Sequence, residues 1–461
     1  MSRNSGGLFG MSLALLSDRN IRVLAVTGLI SGVYLGMLNG ILQLFPASLG
    51  FGVATLGILQ AVGSRFSGVA ASLAQPIAGH LSDIYGRRVM IALGSAATIF
   101  SMALFILAAL TANLACLFGA FFAFGVSVLG SPASQAMVAE SVGLDTSKMN
   151  VAYSVVFLLS SIPGVVTPYL AGAIADSYGY VVIFLAAALL ESADLSLYLK
   201  ELYETRSASS QGQARSPDGF SLRQSFRIPR GSWGYFGALA MDAFAFGITS
   251  SIIYALIQAK FRYSDAQIGI IVSVLSLAII LSQYPATKLL FILGGRKTIA
   301  LSEALGTALM VGWAVAGTFT DFLLLSVVFG MSVSTWVPGV QSLVMANSPE
   351  HERGGIGGKV AAVRGLFAFP APIVGGFLYQ SLGYEAPILA SVLGTAITVG
   401  LLLKYVPESQ GEPQVKGKAV TGIEITGATD EGPGLSSVLS IGFPEPGNHK
   451  PFLPTYPDGN H

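Results

Sequence analysis

Charge is the scarcest feature of this sequence. Only 11% of its 461 residues are Asp, Glu, Lys or Arg, while 52% are hydrophobic and the mean hydropathy is +0.67. Soluble domains carry about 25% charged residues, so the length cannot be read as a string of water-soluble domains. Cysteine is nearly absent. Cys116 alone excludes an internal disulfide framework, and with four histidines it leaves no cysteine-rich metal site, so no metal or other cofactor is expected. None of the histidines (His80, His351, His449, His461) falls near the middle of an apolar run, and no nucleophile and base come together, which argues against an enzyme. A net charge of +1 lacks the basic footprint of a nucleic-acid binder. What remains is an integral membrane protein in a lipid bilayer.

A membrane span needs about 20 apolar residues, and such runs recur nearly end to end. They predict twelve transmembrane helices, numbered 1 to 12, near 22–45, 54–79, 89–110, 114–138, 151–174, 179–199, 233–257, 266–291, 298–319, 322–345, 358–380 and 385–404. The expected domains are a lead over 1–21, an N-terminal six-helix bundle over 22–199, a central loop over 200–232, a C-terminal bundle over 233–405 and a tail over 406–461. The apolar stretch 8–16 is followed by Ser17-Asp18-Arg19 and not by a small-residue cleavage site, so the lead is expected to stay attached. The polar run SASSQGQARSPDG reads as a linker between bundles. The Pro- and Gly-rich tail lacks amphipathic periodicity and is expected to be disordered.

Basic residues set the expected orientation. Arg19, Arg22, Arg87, Arg88, Lys148, Arg296, Lys297, Arg353 and the basic residues from Lys200 to Arg230 collect on one side, against Lys260 and Arg262 on the other. The basic side, with both termini, is therefore expected to be cytoplasmic, in a multi-pass protein of the plasma membrane.

The two halves repeat one another. Pro168-Tyr-Leu-Ala-Gly-Ala-Ile-Ala-Asp-Ser-Tyr-Gly-Tyr in helix 5 matches Pro372-Ile-Val-Gly-Gly-Phe-Leu-Tyr-Gln-Ser-Leu-Gly-Tyr in helix 11 without a gap. Gly86-Arg87-Arg88 between helices 2 and 3 matches Gly295-Arg296-Lys297 in the second half. Parallel duplication of six helices is the sign of two pseudo-symmetric bundles related by an axis along the membrane normal.

The stretch Gly79-His80-Leu81-Ser82-Asp83-Ile84-Tyr85-Gly86-Arg87-Arg88 resembles the signature loop of the major facilitator superfamily, G-x-L-[AS]-D-x-x-G-R-R. Within that superfamily the chain looks most like the tetracycline-efflux type of drug:proton antiporter. It departs from that type where Pro163 to Gly172 stands for the antiporter motif g-x-x-x-G-P-x-x-G-G, and where Phe121 stands for an arginine four residues before Gly125. The resemblance implies an all-α major facilitator fold, with helices 1, 4, 7 and 10 lining the pathway.

The loop has its own physical reading. Gly79 and Gly86 permit close approach and a tight turn, and Asp83 lies at the mouth of helix 2. Glycines around Arg353 would leave orphan N–H groups at the start of helix 11, where a carboxylate is favoured. Asp83 is therefore expected to dock there, with Arg87 or Arg88 bonded to Asp83 and Glu140, locking the two bundles on the cytoplasmic side. The alternative is a rigid turn with snorkelling arginines.

Helix 1 carries Gly28, Gly32, Gly36 and Gly40 at four-residue spacing, a stripe for close helix packing. Beside it run Thr27, Ser31, Asn39 and Gln43. Gln135 on helix 4, Thr249 on helix 7 and Trp336 and Gln341 on helix 10 are further candidates for polar contact with a substrate. Arg65 and Asp242 fall about midway through helices 2 and 7, where a lipid-exposed charge costs about 2.5–3.5 kcal/mol, so each must face protein or a wet cavity. An Arg65–Asp242 pair is expected. Asp242 is then a coupling carboxylate, half of a latch or substrate-competed pair, or a structural partner. Arg364 on helix 11 is a candidate for an anionic group or for the gate. Glu191, Asp194 and Glu303 lie on helices that usually face lipid, near the interface, and are expected to be unremarkable.

The expected function is secondary active transport of a small organic solute by alternating access. Efflux of an amphipathic, cationic compound in exchange for protons is preferred, with the proton gradient as energy source and the protein acting as a monomer. The rivals are a proton symporter or uniporter for a metabolite such as a sugar or organic acid, and a receptor or scaffold that no longer cycles.

Overall fold

A computed structural model describes residues 11, 14–65, 68–143, 146–205, 233–346 and 353–405. The central loop after 205 and the tail lie outside the described residues, and so do the expectations made for them. Among the described residues every regular element is helical, as the bilayer requires of a chain whose backbone groups have no water to bond.

Ten described helices are long and apolar enough to cross a membrane. One of them, Asp265–Val315, has 51 residues and holds both helix 8 and helix 9, which meet at Gly294 with φ +77°. Gly86 makes the matching turn in the first half with φ +99°. The structural repeat therefore pairs Gly86 with Gly294, one residue from the pairing the sequences suggest.

Helices 1, 2, 5 and 7 depart from the continuous spans expected. Helix 1 runs Arg19–Leu38, breaks at Asn39 and Gly40, and resumes as Ile41–Ser48. Gly40 sits at φ +86°, where a side chain would be strained. Helix 7 breaks over the same two-residue gap, between Trp233–Ser250 and Ile253–Phe261. Helix 2 runs Val53–Gly63, opens from Ser64, and resumes as Val69–Tyr85. Helix 5 passes through a 3-10 turn at Ile162–Val165, which overlaps the start of the segment that replaces the antiporter motif.

Small residues set the packing, since lipid provides little hydrophobic drive for helices to associate. The glycine stripe of helix 1 lies on helix 5: a Cβ at Gly32 would strike the Ser160 carbonyl, and one at Gly36 the Thr167 hydroxyl. Aromatic rings fill the N-terminal bundle, with Phe105 stacked on Phe184 at 5.0 Å and edge-on to Phe45 and Phe121. Ile388, Phe322 and Trp313 anchor the C-terminal core. Large apolar side chains such as Phe291, Val315 and Leu189 point outward, as a lipid-facing surface requires.

The bundles meet along two seams. Helix 5 lies against helix 8, where a Cβ at Gly172 would strike the Asp265 carbonyl and one at Gly269 the Pro168 carbonyl. Helix 2 lies against helix 11, with Gly57 on the Pro372 carbonyl and Gly376 on Val53 and Ala54. Both seams are at the ends away from Arg87 and Arg88.

Candidate functional site

Asp242 does not pair with Arg65. Its Oδ2 accepts from Arg364 Nη2 at 3.1 Å, and Arg364 Nε donates to the Leu239 carbonyl at 3.2 Å. The guanidinium lies 4.2 Å over the Trp336 ring. Glu303 of helix 9 is in side-chain hydrogen-bond contact with Asp242 and is an electrostatic neighbour of Arg364. Asp242 and Glu303 are only 7% and 5% exposed, so both carboxyl groups are inside the bundle. Among the described residues Glu303 Oε1 and Trp336 Nε1 find no hydrogen-bond partner. Two carboxyl groups thus share one guanidinium between helices 7, 9 and 11, beside an aromatic face with a spare donor.

Arg65 stays in the N-terminal bundle. Its guanidinium lies 5.3 Å over Phe124, and its electrostatic neighbours are Glu191 and Tyr34. Helix 2 is interrupted from Ser64, so Arg65 stands at a break and not within the continuous span expected. Glu191 and Asp194 are also corrected: at 3% and 0% exposed they point into the bundle and not to lipid. Their spacing of three on helix 6 is the signal that could have found them.

The other candidates divide. Thr249 is fully buried and bonded at 2.8 Å to both the Pro387 carbonyl and the Ser391 hydroxyl, which ties helix 7 to helix 12. Gln43 is committed as well: its Nε2 donates to the Ser250 carbonyl at 3.2 Å, and its Oε1 accepts from Tyr254 N at 2.9 Å, clasping the break in helix 7. Thr27 bonds back to the Val23 carbonyl. Asn39, Gln135 and Gln341 are exposed.

At the signature loop, Arg87 does the bridging. It reaches Ser82 Oγ at 2.6 Å, Asp83 Oδ1 at 2.5 Å and Glu140 Oε1 at 2.9 Å. Arg88 instead bonds the Tyr198 and Leu199 carbonyls at the end of helix 6. Glu204, which the sequence did not single out, accepts from Arg87 N and Arg88 N at 2.9 and 3.1 Å, a carboxylate at a helix N-terminus. These bonds are all internal to the first half of the chain and brace one bundle. The docking of Asp83 on the start of helix 11 falls on side chains outside the described residues. Among the described residues nothing comes within 4 Å of a Cβ at Gly79.

A carboxylate does cap a helix of the other bundle at the opposite ends. Asp176 of helix 5 accepts from Asp265 N at 3.1 Å and Ala266 N at 2.9 Å, where helix 8 begins. Tyr180 donates to Asp265 Oδ2 at 2.5 Å, and Gln258 to Oδ1 at 2.6 Å. With the glycine seams and the Gln43 clasp, these bonds close the bundles against each other on the side away from the basic residues.

No curated protein matches this sequence at a significant level. Several solved structures share the fold. A nucleoside transporter, NupG, matches with a TM-score of 0.67 at 12% identity, covering 84% of this chain and 98% of that one. A POT family transporter in complex with 5-aminolevulinic acid matches with a TM-score of 0.66 at 14% identity, covering 88% and 98%. The human organic anion transporter MFSD10 (TETRAN) matches with a TM-score of 0.60 at 16% identity, covering 83% and 99%. Each half of the chain also matches one family model, over residues 24–241 and 235–454, and the chain thus belongs to the Major Facilitator Superfamily of membrane transporters.

Proposed function

We propose that the protein is a proton-coupled secondary transporter that expels a small organic solute by alternating access between its two bundles. One observation carries the reading. Asp242 and Glu303 are buried together against the single guanidinium of Arg364, with the Trp336 ring alongside. Among the described residues the cluster has one carboxyl group more than it has cations, and an isolated buried charge is too costly to persist. A proton or a cationic solute supplies the balance, and competition between the two gives exchange. The Trp336 face and its spare N–H offer such a solute an aromatic wall and a donor.

Taking the basic side as cytoplasmic, the closed seams are extracellular and the structure corresponds to a state closed to the outside. On this reading the protein acts as a monomer in the plasma membrane with both termini inside. Flux in proteoliposomes, measured against a panel of organic cations and neutral amphiphiles with and without an imposed pH gradient, tests it. Efflux should rise with an opposing proton gradient and lose that dependence in Asp242→Asn. Gradient-independent flux would remove proton coupling, and no flux for any compound would leave the reading without a substrate and overturn efflux of this class.

A further inference from the structure

We infer that Glu191 and Asp194 of helix 6, with Ser31 and Tyr34 of helix 1, form a second proton-binding site inside the N-terminal bundle, separate from the Asp242–Glu303–Arg364 cluster. The inference rests on the proton-coupled reading above for its role in transport, though not for its geometry.

The two carboxyl groups are one helical turn apart on one face of helix 6, and both are sealed from solvent. Ser31 donates to Asp194 Oδ2 at 2.8 Å. Glu191 is in hydrogen-bond contact with Ser95 of helix 3 and Tyr34 of helix 1. Among the described residues each carboxyl group still keeps one buried oxygen without a partner, Glu191 Oε2 and Asp194 Oδ1, and Arg65 Nη1 has none either. Two acceptors and a donor left idle in one interior are unusual, because buried polar groups are almost always bonded.

The charges around the site are few. Helix 1 contributes Tyr34, helix 6 itself Tyr198, and the break in helix 2 contributes Arg65. From helix 3 the facing group is neutral Ser95, while Arg88 is bonded to the Tyr198 and Leu199 carbonyls at the helix end. Asp176 of helix 5 is engaged with helix 8. Among the described residues, then, two carboxyl groups share this interior with one guanidinium, which neighbours Glu191, and one proton balances the site. A proton on Asp194 or Glu191 turns one carboxyl oxygen from an acceptor into a donor.

Occupancy reaches the pathway through helix 1. Ser31 and Tyr34 lie on its first segment, which ends at the Asn39–Gly40 break, and Gln43 beyond the break clasps Ser250 and Tyr254 of the other bundle. A proton on Asp194 Oδ2 reverses the hydrogen bond from Ser31 and so changes how the first segment sits before the break.

Infrared difference spectra of the purified full-length protein between roughly pH 5 and roughly pH 9 test the site without any substrate. Wild type should show protonated-carboxyl C=O bands from two places. One band should vanish in Glu191→Gln and in Asp194→Asn while surviving in Asp242→Asn; the other should vanish only in Asp242→Asn. Ser31→Ala, which keeps both carboxyl groups, should shift the first band, so the test survives if either isosteric variant fails to fold. A spectrum untouched by Glu191→Gln, Asp194→Asn and Ser31→Ala overturns the second site, whatever becomes of the Asp242 band. A wild-type spectrum that holds the first band and lacks the Asp242 band overturns the function proposed above and leaves this site standing. A band that responds to sodium against choline at fixed pH marks a metal-cation site and overturns the proton assignment.

Discussion

Arg364, and not Arg65, is the partner of Asp242, with Nη2 and Oδ2 at 3.1 Å and the guanidinium stacked on Trp336. Removing one member of a buried ion pair leaves the other uncompensated, at about 3–5 kcal/mol. Arg364→Ala should therefore lower Tm sharply, and more than Asp242→Asn, because it strands two carboxyl groups where the asparagine strands none. Adding Glu303→Gln to Arg364→Ala should recover part of the loss. A double variant no more stable than Arg364→Ala would show that Glu303 does not depend on the arginine.

The correction to Arg65 shows which parts of this fold a sequence reveals. The spans were legible because they depend on composition over about 20 residues, which a bilayer imposes directly. The breaks were not, because Gly40 and Ser64 sit inside apolar runs that would equally continue a helix, and only the neighbours decide. Gly63 is pressed on the Phe121 carbonyl, and the chain leaves the helical path just beyond it. Depth was misjudged for the same reason. Glu303 reads as near the interface if helix 9 starts at 298, but its turn is at Gly294, so the residue lies more than two helical turns in. The signature loop was legible as a motif, though its bracing by Glu204 was not, since that residue belongs to a polar segment with no pattern of its own.

Asp176 should hold the two bundles together on the side away from the basic residues. Its carboxylate takes both Asp265 N and Ala266 N, and a hydrogen bond to a charged group contributes about 1.5–3 kcal/mol. Asp176→Ala should shift the population toward a state open on that side by tenfold or more. Alkylation of Ser273→Cys, at the helix 5 to helix 8 seam, should accelerate accordingly in the Asp176→Ala background. Asparagine at 176 should give a smaller acceleration, because it keeps one acceptor. Equal rates in all three backgrounds would show that the carboxylate is not part of the closure.

The glycine seams give a purely steric counterpart. A Cβ at Gly172 or Gly269 would collide with the backbone carbonyl of Asp265 or Pro168, which cannot step aside as a side chain can. Gly172→Ala and Gly269→Ala should each raise the same Ser273→Cys alkylation rate without touching any charge, and the effect should not depend on pH. Gly237→Ala, with open space around it among the described residues, is the control and should behave as wild type.

Arg87 distinguishes holding the signature loop from gating. Its planar fork serves Ser82, Asp83 and Glu140 together, a task a lysine cannot perform. Arg87→Lys and Glu140→Gln should each cost about 1–3 kcal/mol, read as a fall in Tm. Asp83 is 63% exposed, and an exposed ion pair contributes about 0–1 kcal/mol, so Asp83→Asn should barely move Tm. Its effect on flux then isolates a role in the transport cycle. A large loss of flux at unchanged Tm and expression would mean that Asp83 works in a second conformation, when the basic side closes. Flux equal to wild type would reduce the loop to a structural turn held by Arg87.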